Sequence, residues 1–226
     1  MNTQTHILLA AGLLTRPGRE NRRNNAAVLV GAFAPDALIF VMFVWSKLTS
    51  VPENEVWRVW YFTPPWLTAI DWMNSIPLFT AIALLGWLLV RHSQSYASVA
   101  MMTMLFALAA LTHIFGDLPL HVNDGHAHFV PFSQWRFVSP VSYWDPRHYG
   151  DIFSKLELAL ALGLIVILWR RFDTRPVRAI LALTTLAYAV PYVWFVLLGG
   201  HADHNAAATL IHTLPGATGS LTTAHA

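Results

Sequence analysis

Cysteine is absent from the 226-residue chain, which excludes disulfides, thiolate-held zinc and iron–sulfur clusters. Charge is also scarce. Only 12% of the residues are Asp, Glu, Lys or Arg, about half the share an ordinary soluble domain uses. So few charges cannot clothe the surface of a water-soluble domain of this size. The formal charge of +2 sits in short Arg clusters between apolar segments, a pattern that does not point to nucleic acid. What is abundant is apolar: 55% of the chain is hydrophobic, with ten Trp and 13 Phe. The apolar residues form long runs, many flanked by aromatics as at a membrane interface.

These runs predict an all-α, polytopic membrane bundle. About five helices are expected to cross, with a short N-terminal helix that is re-entrant or lies against the bundle. The expected helices cover residues 3–14, 25–45, 74–90, 97–118, 154–169 and 177–198. A loop of about 25 residues, rich in Trp and Pro, is expected after the second helix, and a long polar and aromatic loop over 121–153. Residues 1–200 make one membrane domain, and 201–226 read as a polar, disordered tail. No cleavable signal peptide is expected, because the first apolar stretch lacks a basic leader and ends in Arg16 and Arg19 rather than following them.

Charge orients the bundle. Arg16, Arg19, Arg22 and Arg23, then Arg91, then Arg170, Arg171, Arg175 and Arg178 fall in the short odd-numbered loops. Positive loops stay in the cytoplasm. The long second and fourth loops are therefore expected on the outer, periplasmic side.

Several residues do not belong in lipid. A carboxylate at mid-membrane costs about 2.5–3.5 kcal/mol on insertion scales, so one that persists implies a partner or a metal. Asp36 follows Pro35 in the second helix, and His6 lies in the first apolar stretch. His113 and Asp117 stand four residues apart, on one helical face. That spacing suits a chelate, and imidazole with carboxylate suits Zn²⁺, Mn²⁺ or Fe²⁺. His121 would extend the face, but Pro119 is expected to kink or end the helix first. Beyond it, Asp124, His126 and His128 alternate, which in an extended segment points them to one side. Asp145 and His148 follow in the same loop, and with His121 they make this stretch the richest in ligand-type side chains. All of these lie towards the outer side.

Other positions carry blander readings. Asn74 and Ser75 suit helix capping, with Asp71 one turn away as a further candidate for the metal shell. Arg136, among aromatics, is either an anion clamp or an interfacial anchor. Glu157 is expected to be solvated at a helix end.

The runs Thr5-His6, Pro35-Asp36, Thr112-His113-Ile114-Phe115-Gly116-Asp117 and Pro131-Phe132-Ser133, with Arg136-Phe137 after the last, resemble the YdjM-like family of predicted inner-membrane metal-dependent hydrolases. The likeness spans roughly the first 150 residues. Asn74-Ser75 stands where that family shows His-Ser, which leaves Asp71 or His126 as the substitute. The resemblance implies a hydrolase of the bacterial inner membrane that uses a divalent metal.

The resulting expectation is specific. His6, Asp36, His113 and Asp117 hold a metal, most naturally zinc. His126 and His128 complete its shell or hold a second ion, together with Asp145 or His148. An unligated member of the group, Asp145 or His148, acts as general base. Arg136 steadies an anionic substrate, a lipid or lipid-linked ester or phosphoester. The alternative is a metal-ion or proton transporter using the same buried groups.

Overall fold

The computed structural model describes residues 1–192, and the end of the sixth expected helix and the 201–226 tail lie outside them. Among the described residues there is helix but no strand. The helices are α1 (Thr3–Leu14), α2 (Arg22–Leu48), α3 (Glu53–Arg58), α4 (Trp66–Met73), α5 (Ile76–His92), α6 (Ala97–Asp117), α7 (Gly150–Arg171) and α8 (Arg175–Tyr192). Residues Met1–Leu181 form one compact unit, which contains every element of the site. A second unit begins at Ala182, inside α8.

Three helical stretches are long and apolar enough to cross a membrane: Arg19–Leu48, Ala97–Leu120 and Gly150–Arg171. A fourth is added if α4 and α5, bent by 41° at their junction, make one span. With α8 incompletely described, the expected number of about five narrows to three or four among the described residues. At about 1.5 Å per residue, the 12 residues of α1 cover about 18 Å. That is well short of a bilayer core.

The expected Trp- and Pro-rich loop is instead largely helical: it holds α3, a 3₁₀ turn at Trp60–Phe62 and α4. Pro52 and Pro65 stand immediately before these helices, where a missing N–H costs nothing. The prolines therefore start short helices rather than forbid them. The long loop over 121–153 is irregular, and α7 begins at Gly150.

The packing centres on α6, which touches α1, α2 and α5. Small residues let the backbones close up, as membrane helices require. A Cβ at Gly31 would fall on the carbonyl of Phe106, and one at Gly86 on Met104. Ala10, Val28, Ala32 and Ala109 form one buried cluster and Phe79, Ala83, Ala107, Ala110 and Ile114 another. Outward, Val30, Val41 and Val44 of α2 and Leu156, Val166 and Ile167 of α7 are exposed, as lipid-facing residues are. Pro35 is accommodated within an unbroken α2.

Candidate metal centre

His113 anchors the site. Its Nδ1 lies 2.7 Å from the carbonyl oxygen of Ala32 on α2. A carbonyl can only accept, so Nδ1 carries the proton and Nε2 presents a bare lone pair. Metal-ligating histidines are commonly oriented by such a backbone bond. The His113 ring is buried and Nε2 has no hydrogen-bond partner. It lies 3.3 Å from Oδ2 of Asp117 and 3.5 Å from Oδ1 of Asp36. With bonds of 2.0–2.1 Å to a tetrahedral ion, neighbouring ligand atoms sit about 3.4 Å apart. The spacing suits the edges of a coordination shell better than a hydrogen bond.

His6 enters from α1. Its Nε2 is 2.9 Å from Oδ1 of Asp117, and its ring stacks on His113 with centroids 3.6 Å apart and planes 9° from parallel. Gly116 permits the approach: a Cβ there would meet the His6 ring at 3.3 Å and the tip of Met1 at 2.6 Å. The amino group of Met1 also donates to Asp117 Oδ1. His6, His113 and Asp117 each offer a ligand atom within 4.8 Å of the others, so this buried trio could hold a metal ion. The bare, buried nitrogen of His113 between two carboxylates fits a divalent cation.

A helix as short as α1 needs anchoring, and α7 supplies it at both ends. Glu157 Oε1 accepts from the backbone N of Asn2 at 2.6 Å and from the Thr5 hydroxyl, while Oε2 accepts from the Asn2 side chain at 3.1 Å. Arg171 Nη1 donates to the carbonyls of Gly12 at 2.7 Å and Thr15 at 3.2 Å. The acid meets the N-terminus and the base the C-terminus, matching the helix dipole. Glu157 is thus a buried structural group, not the solvated helix end expected from sequence.

Above the trio opens a cavity of about 920 Å³. Asp36, Asp117, His121, Asp124 and His126 supply polar wall, and Ile39, Phe40, Phe43, Trp57, Tyr61 and Trp144 supply apolar wall. Asp36 also accepts from the Thr3 hydroxyl at 2.5 Å.

His121 joins the surroundings of Asp117, which a helix ending at Pro119 would not allow. Pro119 does not end the helical path, because a 3₁₀ turn at Leu118–Leu120 carries it on, and Pro119 sits near the start of that turn, where it is tolerated. His121 Nε2 then lies 3.6 Å from Asp117 Oδ2, and its Nδ1 is 3.1 Å from Asp124 Oδ1. Burial opposes charge on His121, but the Asp117 and Asp124 carboxylates outweigh it and raise its pKa to about 9. His126 goes the other way: burial first, then the neighbouring His121 and His128, push it down to about 3, so it stands neutral.

The remaining expected residues separate. Arg136 is no free anion clamp. Its Nη2 donates to Asp71 Oδ2 at 2.5 Å, and its Nη1 to Asp71 Oδ1 at 3.0 Å and the Gly125 carbonyl at 2.7 Å. Asp71, also accepting from Ala127 N, is accordingly a loop anchor rather than part of the metal shell. Ser75 caps α5 through Leu78 N, and Asn74 donates to the carbonyls of Pro35 and Ile70, as capping and packing residues do. His126 and His128 are both buried, with rings 5.8 Å apart and nearly perpendicular. The segment bends rather than extends, so the expected common direction is lost. His128 Nδ1 turns to the Asn74 carbonyl at 3.0 Å. Asp145 is held at the cavity rim by Arg147, at 3.1 Å from Nε and 2.8 Å from Nη2, which lowers its pKa. His148 is half-buried in the turn Pro146–His148 and does not join the trio.

No family model, curated protein or solved structure matches the chain. Fold and site together define a helical protein compatible with a membrane, built around a buried His/Asp group that could hold a metal ion.

Proposed function

We propose that the chain is a membrane-bound, metal-dependent hydrolase acting on a lipid or lipid-linked ester or phosphoester at the outer face of a bacterial inner membrane. The observation that carries this reading is the bare, buried Nε2 of His113, set between Asp117 and Asp36, two carboxylates that also line a partly apolar cavity. The motif likeness to the YdjM-like hydrolases points the same way.

His113, Asp117 and His6 are the residues that would hold the ion; two imidazoles and a carboxylate favour Zn²⁺, with Mn²⁺ and Fe²⁺ next. A divalent cation there supplies Lewis-acid polarisation of the scissile group and acidifies water. Asp36 lies outside the trio and lines the cavity. With Oδ2 held by Thr3, its other oxygen would take a proton from the attacking water. Water oxygen bonds to the acyl carbon or phosphorus, the ester oxygen leaves, and the proton passes through Asp36 to that leaving group. Ile39, Phe40 and Phe43 follow Asp36 at helical spacing along the cavity wall, a path suited to an acyl chain. At the other end of the chemistry, Ala10, Val28, Ala32 and Ala109 pack beneath the centre. An apolar layer there supports a one-sided site, and with it hydrolysis over transport.

The test uses the full chain purified in detergent. Stoichiometric metal, together with metal-dependent release of fatty acid or phosphate from phospholipid vesicles, is the expected result. Protein that carries no metal after loading with Zn²⁺ or Mn²⁺ refutes the reading.

A further inference from the structure

The trio does not use all the ligand-type side chains around Asp117. His121 approaches the same carboxylate yet falls outside the set whose atoms lie within 4.8 Å of one another. Its side chain is 8% exposed; Nδ1 lies 3.1 Å from Asp124 Oδ1, while Nε2 has no hydrogen-bond partner. An imidazole nitrogen buried this deeply and left unsatisfied is costly and demands an explanation. His126, 3% exposed, packs its ring 5.5 Å from that of His121, and among the described residues no hydrogen bond reaches its ring nitrogens. Both residues line the cavity.

Asp117 links the two groups. Oδ1 faces His6, and Oδ2 faces both His113 at 3.3 Å and His121 at 3.6 Å. The second distance, like the first, matches the edge of a coordination shell, about 3.4 Å for ligands around zinc. A carboxylate with histidines on either side is the arrangement that bridges two cations about 3.5–4 Å apart.

We infer that Asp117, His121 and His126 bind a second divalent cation, Zn²⁺ or Mn²⁺, so that the Asp117 carboxylate bridges a two-ion centre. This rests on the metal centre proposed above and extends it. Asp124, 3.1 Å from His121 Nδ1, orients the imidazole from behind, as carboxylates do for ligating histidines. The second ion faces the cavity, where an ester or phosphoryl oxygen would arrive. Imidazole donors set it apart from a calcium site, which takes oxygen ligands.

The full chain, purified in detergent and loaded with Zn²⁺, is assayed for metal by mass spectrometry. About two ions per chain are expected, falling to about one when His121 and His126 are both changed to Ala. One ion in the wild-type chain overturns the two-ion centre: retained in the double variant it leaves the first site standing, and lost there it removes the first site instead. No ion in the wild-type chain removes both. Should the double variant fail to fold, Mn²⁺ loading of the wild-type chain decides. Two ions sharing a carboxylate give an exchange-coupled paramagnetic resonance spectrum, and signals of isolated Mn²⁺ alone overturn the bridge.

Discussion

His6 Nε2 and Asp117 Oδ1 lie 2.9 Å apart although 111 residues separate them in the chain. The contact joins the 12-residue α1 to the central helix α6. Both side chains are buried, so neither finds water as a substitute partner. Changing His113 to Ala or Asp117 to Asn should therefore weaken metal binding by at least tenfold, on the order seen when a ligand or its orienting partner is lost. Equilibrium dialysis against buffered Zn²⁺ measures this. Asp36→Asn should keep the metal and lose about 10²-fold or more in turnover, the worth of a positioned base. An Asp36 variant that binds no metal would show that Asp36 is a ligand instead.

Gly116 gives a steric test of the same contact. Gly116→Ala places a methyl group against His6 and Met1, and should lower metal affinity without altering any ligand. Gly163→Ala in α7 is the control, because nothing lies within 4 Å of the new Cβ. It should leave affinity unchanged and raise helix stability by up to about 1 kcal/mol. Dialysis and thermal unfolding read the two effects separately.

The α7 clamp on α1 predicts coupling between a distant acid and the metal. Glu157→Ala removes an acceptor of the Asn2 backbone N and of the Thr5 hydroxyl, at a cost of about 1–3 kcal/mol for a buried group. Metal affinity should fall although Glu157 touches neither His113 nor Asp117. A lower unfolding temperature with unchanged affinity would mean that α1 is held in place without Glu157.

Arg136 and Asp71 predict a non-additive pair. Arg136→Ala strands a buried carboxylate and should cost about 3 kcal/mol or more. Changing Arg136 to Met together with Asp71 to Leu removes both charges, and should cost less than the single change. Limited proteolysis of the 121–137 segment, with thermal unfolding, checks both. If Arg136 instead served substrate, the double change would abolish turnover while the segment stayed protected.

How far the site could be read beforehand follows from separation along the chain. The pairing of His113 with Asp117 is a matter of helical period and is visible at once. The role of His121 was hidden because Pro119 resembles a stop signal, while a 3₁₀ turn tolerates it near its start. Arg136 was ambiguous because a lone Arg among aromatics serves an anion or a buried acid equally well, and only the position of Asp71 decides. Asp124, His126 and His128 alternate in sequence, but the segment bends, so His128 turns to Asn74 and His126 to the cavity. The Trp- and Pro-rich composition of the 49–75 segment suggests a loop, yet Pro52 and Pro65 stand at helix starts.

The sequence by itself determined the class: with charge so scarce and apolar runs so long, helices that can face lipid are the only economical way to satisfy the backbone. It also determined that His6, Asp36, His113 and Asp117 need partners, since ionisable groups do not sit unpaired among apolar helices. Only the tertiary structure decided which of them meet. Small residues at Gly31 and Gly116 let α2, α1 and α6 approach closely enough to stack two imidazoles over one carboxylate, and Glu157 and Arg171 hold α1 at that depth. Such contacts depend on relative helix positions, which helical periodicity alone does not encode.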